Sequence, residues 1–154
     1  MILRDILLFL TIIVAMMFYA HAEAYMEGKN GWTWNPAWWR IKLPNGYTYT
    51  AYHVYAYYLT FPLLVFGLPL LLVGWNTHLM LVLSFSYIIG TGVEDFTWFV
   101  VNPLYPFGKW NPRQTRWYPW VSIGRFSLPL SYVARGIFCA ALFFFIYRDW
   151  MMVR

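Results

Sequence analysis

Four long apolar runs restrict the fold of this chain more than any other feature. They cover about residues 6–27, 52–74, 78–101 and 128–147. Each has the length of about 20 residues that an α-helix needs to cross the hydrocarbon core of a bilayer. Only 11% of the residues are charged and 61% are hydrophobic, whereas soluble domains carry about 25% charged residues. We therefore expect an all-α integral membrane protein, in which residues 1–154 form a single four-helix transmembrane bundle.

The first run also has features of a secretory signal peptide. Arg4 precedes the apolar stretch, and Ala20-His21-Ala22 offers the small residues of a cleavage site. However, the apolar stretch is longer than a typical signal core, and Asp5 weakens the positive charge before it. We interpret this run as a transmembrane helix that ends near Gly28, a residue that commonly stops helices.

Two long aromatic-rich loops, residues 28–51 and 102–126, lie on one face of the predicted bundle because four spans alternate in direction. Such aromatic residues are typical of membrane–water interfaces. In the first loop, polarity alternates on both sides of Pro44-Asn45-Gly46, which predicts a short β-hairpin. After the second loop, Ser127 is placed to cap the fourth helix.

The distribution of basic residues predicts the orientation and the partners. The two long loops carry seven lysines and arginines, whereas the terminal segments carry three. The positive-inside rule therefore places the long loops in the cytoplasm. The excess of basic residues favours contact with the anionic headgroups of the lipid bilayer. It does not indicate nucleic-acid binding, because no basic run is present. The high aromatic content would also suit packing against other membrane subunits.

Glu94 and Asp95 are anomalous because they lie inside the third apolar run. A carboxylate at membrane depth costs roughly 2.5 kcal/mol or more, so the fold must pair, protonate, hydrate or coordinate these two. Arg135 lies at a matching depth, about 10 Å below the interface at 1.5 Å per residue. His78 lies at the opposite end of the bundle. The alternation of the spans predicts one candidate polar site, comprising Glu94, Asp95, Arg135, His53, His21, Glu27 and Tyr132.

One interpretation of this site is structural. Arg135 would neutralise one acid, and hydroxyl groups or a proton would satisfy the other. The polar cluster would then only specify packing, as in a non-catalytic structural or accessory subunit of a larger membrane complex.

A second interpretation is a metal site. Histidines and carboxylates gathered in a helical bundle are the ligand types of zinc, iron and manganese, and the candidates are His21, His53, Glu94 and Asp95. His21 and Glu23 lie about 200° apart on a helix and face opposite ways, whereas Glu23 and Glu27 share a face. Only a subset can therefore converge on a divalent transition metal, with either His21 or Glu27 contributed by the first helix.

A third interpretation is proton transfer or chemistry on a lipid, because two adjacent carboxylates cannot both ionise cheaply. The sequence names no reaction and leaves open whether the chain is an enzyme. Phosphate-loop, dinucleotide-binding and Gly-x-Ser-x-Gly motifs are absent from it. The single cysteine, Cys139, excludes a disulfide within the chain and a cysteine-based metal motif.

Several short motifs together resemble a small family of four-span prokaryotic membrane proteins that has no assigned activity. The resemblance covers roughly residues 21–107 and rests on the pattern EGKxGW at residues 27–32 and EDFxWFVxNP at residues 94–103, together with His21-x-Glu23, Trp39-Arg40 and Tyr52-His53. It implies a four-span fold in a prokaryotic cytoplasmic membrane. It implies no reaction, cofactor or catalytic residue.

Overall fold

The computed structural model describes residues 1–31, 38–42 and 48–152. Within this part of the chain, four helices are long and apolar enough to cross a membrane: α1 (Ile2–Glu27), α2 (Ala51–Val73), α3 (Thr77–Val101) and α4 (Leu130–Met152). The four predicted apolar runs are thus confirmed as helices. The largest shifts are at the start of α1 and the end of α4, each of which extends four or five residues beyond the predicted run.

Helix α3 is the centre of the arrangement, because it packs along α1 on one side and against α4 on another. Small residues form the seam between α1 and α3. Ala20 and Ser86 are fully buried, and a Cβ atom added to Gly90 would lie 3.0 Å from Met16 Cγ. Small residues at helix contacts let backbones approach closely, which is how helices pack in lipid. Along this seam, side chains of α1 contact side chains of α3.

Helix α2 is wider than a standard α-helix over most of its length. Residues Val54–Thr60 and Leu63–Gly67 form π-helical turns, in which each N–H bonds to the carbonyl five residues earlier. Pro62 lacks an N–H, so it cannot bond to the carbonyl of Tyr57. The Tyr87 hydroxyl of α3 donates to that carbonyl instead, at 2.7 Å. A side chain from a neighbouring helix thus satisfies the group that the proline frees.

Two small antiparallel hairpins correct the all-α prediction. The first, β1 (Arg40–Lys42) with β2 (Thr48–Thr50), was predicted, and its turn at residues 43–47 lies outside the described residues. The second, β3 (Trp120–Ile123) with β4 (Phe126–Pro129), was not predicted. Ser127 lies in β4 and does not cap a helix. The fourth helix begins at Leu130, because the preceding residues pair across a two-residue turn at Gly124-Arg125.

The second loop folds over the ends of α1 and α3. Its aromatic side chains pack with the helices in one buried cluster, formed by Ala20, Ala24, Trp98, Phe99, Tyr105 and Tyr118. Asn102 ties the two helix ends together, since its Nδ2 donates to the Gly28 carbonyl at 2.7 Å and its Oδ1 accepts from the backbone N–H groups of Leu104 and Tyr105. This loop therefore closes the bundle at the end that carries Glu94.

A separate polar cluster ties the helices at the opposite end. His78 of α3 lies between two carboxylates, with Nε2 2.8 Å from Asp5 Oδ2 and Nδ1 3.1 Å from Asp149 Oδ2. Trp150 also donates to Asp5 Oδ2, at 2.8 Å. The prediction that His78 lies away from Glu94 is confirmed. Its role in joining α1, α3 and α4 was not foreseen.

Candidate functional site

Four buried polar side chains meet where α1, α2 and α3 come together at the loop-bearing end. Glu23 and Glu27 lie one turn apart on α1, His53 lies in the first turn of α2, and Glu94 lies on α3. Each is at most 5% exposed. Glu23, Glu27 and His53 each place one potential ligand atom within 4.8 Å of the other two. Carboxylate and imidazole ligands in such a group suit a divalent transition metal.

The Tyr52 hydroxyl lies between the two carboxylates of α1. It is 2.6 Å from Glu23 Oε1 and also contacts Glu27 Oε1. A phenol has one proton, so it donates to one carboxylate at a time. The other carboxylate needs a proton of its own or a cation, because a buried charge without compensation is costly.

Thr50 fixes the orientation of the His53 ring. Its Oγ1 lies 2.7 Å from His53 Nδ1, across the first turn of α2. The opposite ring nitrogen, Nε2, points towards Glu27 Oε1 at 3.6 Å. The Thr50 backbone N–H also donates to His53 Nδ1 at 3.4 Å, so in this arrangement Nδ1 is an acceptor and Nε2 carries the proton. A metal at Nε2 would require the other tautomer, in which Nδ1 carries the proton and donates it to the threonine hydroxyl. Metal-binding histidines are commonly oriented in this way.

Glu94 extends the cluster towards α2. It lines one cavity together with Glu23 and Tyr57, and the Tyr57 hydroxyl donates to Glu23 Oε2 at 3.0 Å. Glu94 Oε1 has no hydrogen-bond partner among the described residues. Within the same residues, no lysine or arginine forms an ion pair with Glu23, Glu27 or Glu94. The cluster is therefore rich in acceptors and poor in cations.

Asp95 faces a different helix from Glu94, because adjacent residues point about 100° apart. Arg135 Nη1 of α4 lies 2.6 Å from Asp95 Oδ2, so the predicted pairing of Arg135 with one of the two acids is confirmed. The Tyr118 hydroxyl from the second loop donates to Asp95 Oδ1 at 3.4 Å. Burial and then the nearby Asp95 carboxylate raise the pKa of Tyr118, so this phenol stays a donor.

A cavity of about 370 Å³ gives access to the cluster. It lies among α2, α3 and α4, and both His53 and Glu94 line it, so these two residues share one site as predicted. Arg135 and the exposed Tyr58 stand at its outer side. The cavity has the size of a small-molecule site.

The structure does not bring two of the predicted residues into the cluster. His21 is exposed on the outer face of α1, because the face that carries Glu23 and Glu27 turns inward. Tyr132 lies beside Arg135, whose guanidinium carbon is 5.7 Å from the tyrosine ring centre, and its hydroxyl contacts no acid among the described residues. Asp95 belongs to the arginine pair and not to the possible ligand group.

Sequence reasoning left Glu23 out of the candidate site, although the signal was present. Glu23 and Glu27 lie four residues apart and therefore share a helix face. Helical periodicity shows that only one of the two faces, this one or the one that carries His21, can point into the bundle, but it does not show which one does.

Comparison of this chain with protein-family models, curated proteins and solved structures finds no match.

Proposed function

We propose that this chain is an integral membrane protein that holds one divalent transition-metal ion at Glu23, Glu27 and His53. The observation that carries the proposal is the convergence of these three buried ligand groups from two helices. Ligand atoms about 2.1 Å from a zinc ion lie no more than about 4.2 Å apart, so a small side-chain rotation completes the site. The four apolar helices support the membrane location.

The charge balance supports a cation at this place. Three buried carboxylates, Glu23, Glu27 and Glu94, lie at this place, and Arg135 of the same cavity forms its ion pair with Asp95 and not with them. A divalent ion would compensate the two α1 carboxylates that share the single Tyr52 proton. His53 would supply the nitrogen ligand that favours zinc, iron or manganese over magnesium and calcium.

The competing function is that of a non-catalytic subunit in a larger membrane complex. A cluster that only specifies packing should be closed and mutually satisfied. The cavity beside Glu94, and a Glu94 Oε1 that has no hydrogen-bond partner among the described residues, favour a site that receives a ligand. The positive-inside rule applied to the loops places this cavity towards the cytoplasmic side.

Elemental analysis of the protein purified in detergent tests the metal site. We expect about one transition-metal ion per chain, and a loss of most of it in Glu27→Gln and His53→Gln. His21→Ala is the matched control, because His21 lies on the same helix but faces outward. It should keep the metal of the unmodified protein.

Two results would overturn the proposal. One is a protein that binds no zinc, iron or manganese after dialysis against each ion. The other is metal that survives both cluster substitutions in a protein whose tryptophan fluorescence shows a native fold. In either case, the glutamates would have to be neutralised by protons, and the packing or proton-transfer functions would remain.

A further inference from the structure

The polar cavity continues into a second space that no part of the metal site uses. This apolar groove has a volume of about 540 Å³ and lies between α2 and α3. Tyr58 and Pro62 line both spaces, so the groove starts where the polar cavity ends. It continues past Phe66 and Leu70 to Trp75 in the turn between the two helices.

The groove exists because α2 packs loosely. No residue of α2 from Val54 to Val73 is buried, and its contact with α3 is concentrated at residues 63–67. Leu59 and Leu63 of the groove are 47% and 65% exposed. The groove therefore opens sideways, along a helix that is itself apolar enough to lie in a membrane.

The dimensions of the groove match an acyl chain. From Tyr58 to Leu70 it follows twelve residues of helix, a length of at most about 18 Å at the α-helical rise of 1.5 Å per residue, and a shorter one where the turns are π-helical. Half of a bilayer hydrocarbon core is about 15 Å. The polar cavity lies at the end that carries the long loops, and the groove leads from there into the core. A lipid in the leaflet on the loop side would likewise have its headgroup at the level of the polar cavity and its acyl chain at the level of the groove.

The lining of the polar cavity selects the headgroup. Among the described residues that line it are three acids, Glu23, Glu94 and Asp95, and one arginine, Arg135. Acceptors in excess favour a headgroup that donates hydrogen bonds or carries a positive charge. Four tyrosines line the same cavity and can contact an ammonium group through their ring faces: Tyr49, Tyr57, Tyr58 and Tyr87. Arg135 uses Nη1 for Asp95 and has further donors for a phosphate.

The geometry points to a binding site for one phospholipid with an ammonium headgroup, whose phosphate contacts Arg135, whose ammonium group contacts Glu94 and whose acyl chain lies in the apolar groove. This inference rests on the proposed function in one respect, the placement of the chain in a bilayer. It names the class of molecule that the cavity beside the metal group receives, and it does not require the metal.

Native mass spectrometry of the full chain tests this site. The protein is inserted into liposomes of equal amounts of phosphatidylethanolamine and phosphatidylglycerol, and it is then extracted gently. The unmodified protein should retain phosphatidylethanolamine in preference to phosphatidylglycerol. Glu94→Gln should reduce that preference about 10-fold, the range expected for a lost hydrogen bond to a charged group.

Gly67→Leu tests the groove. Gly67 lines the groove in a regular helical conformation, and the nearest atom to an added Cβ is Leu63 Cδ2, at 3.5 Å. The backbone at this position accepts a leucine without strain, and the leucine side chain would fill the path of the acyl chain. Lipid retention should fall on the order of 10-fold, as expected for an overpacked site. Gly136→Leu is the control, because a Cβ at Gly136 meets nothing within 4 Å.

Equal lipid retention by Gly67→Leu and the unmodified protein would overturn the inference. Equal retention of the two lipids by the unmodified protein would overturn the headgroup assignment and with it the site as stated. Elemental analysis of the same samples keeps the two proposals separate. Gly67→Leu should lose lipid and keep metal, whereas Glu27→Gln, at a residue that lines neither the polar cavity nor the groove, should lose metal and keep lipid.

Discussion

The close approach of α1 and α3 at Gly90 makes a prediction that can be calculated from the structure. An alanine Cβ at this position would lie 3.0 Å from Met16 Cγ and 3.3 Å from Ile12 Cγ2. Met16 is only 3% exposed, so its side chain has little room to move away. Overpacking of this kind costs about 1–3 kcal/mol. Replacement of a helical glycine by alanine otherwise stabilises a helix by about 1 kcal/mol.

The two effects oppose each other at Gly90 but not at Gly136. Gly136 is also inside a helix, and an added Cβ there meets no atom within 4 Å. Gly136→Ala should therefore stabilise the protein by about 1 kcal/mol. Gly90→Ala should change its stability by between about 0 and −2 kcal/mol. The difference between the two variants isolates the packing cost of the α1–α3 seam.

Unfolding in mixed micelles of mild and denaturing detergent, followed by tryptophan fluorescence, measures both free energies. Trp98 is 5% exposed, so its environment changes when the seam opens. Gly90→Leu should also lower the metal content, because Glu94 lies one helical turn beyond Gly90 and lines the same cavity as Glu23 of α1. If Gly90→Ala and Gly136→Ala stabilise the protein equally, the two helices do not approach as closely as the structure indicates, and the argument for the seam fails.

Three further substitutions test the polar groups. Arg135→Gln should destabilise the protein by about 2–4 kcal/mol, because among the described residues it leaves the largely buried Asp95 carboxylate with the Tyr118 hydroxyl but without its cation. Arg135→Gln made in the Asp95→Asn protein should lower the free energy of unfolding much less. If the losses of the two single variants simply add in the double variant, the two side chains do not form a stabilising pair. His78→Gln should lower the free energy of unfolding by about 1–3 kcal/mol without changing the metal content; a loss of metal would show that the two ends of the bundle are coupled. Thr50→Val should weaken metal binding about 10- to 100-fold in titrations, whereas Thr50→Ser should restore it, and equal affinities would exclude the threonine as the group that orients the histidine.

The sequence predicts the helices well because composition and length decide them. A stretch of about 20 apolar residues has few other stable structures available in a membrane. The matching depth of Arg135 and the Glu94-Asp95 pair follows from the same rule, since rise per residue is fixed. The four helices and an ion pair of Arg135 with one of the two acids could therefore be predicted without knowledge of side-chain packing, but the choice of Asp95 could not.

The rotation of α1 could not be predicted in this way. The helix presents His21 on one side and Glu23 and Glu27 on the other, and both sides carry metal-ligand residue types. The inward side is chosen by the small residues Ala20 and Ala24, which are buried in the same seam. Because the outer residues of α1 are also apolar, hydrophobicity does not distinguish the inner face of this helix.

The second hairpin was missed for a different physical reason. Gly124-Arg125 separates two short segments of alternating polarity, which is a recognised signal for a two-residue turn. The second of these segments, Phe126–Pro129, runs without a break into the apolar residues of α4. A span predicted from hydropathy alone therefore begins too early. Gly124 has a φ of +61°, the left-handed conformation that this turn requires.

The contrast between the two ends of the bundle is the strongest reason to place a function at Glu94. At the opposite end, Asp5 accepts from His78 and Trp150 on one oxygen and from Arg4 on the other. Asp149 likewise has a partner on each oxygen. This chain can therefore satisfy carboxylates completely when their role is to join helices. Glu94, at 1% exposure, keeps one buried oxygen without a partner among the described residues, and it lines the polar cavity. A carboxylate that is costly to bury and is left incomplete is better explained by a ligand than by packing.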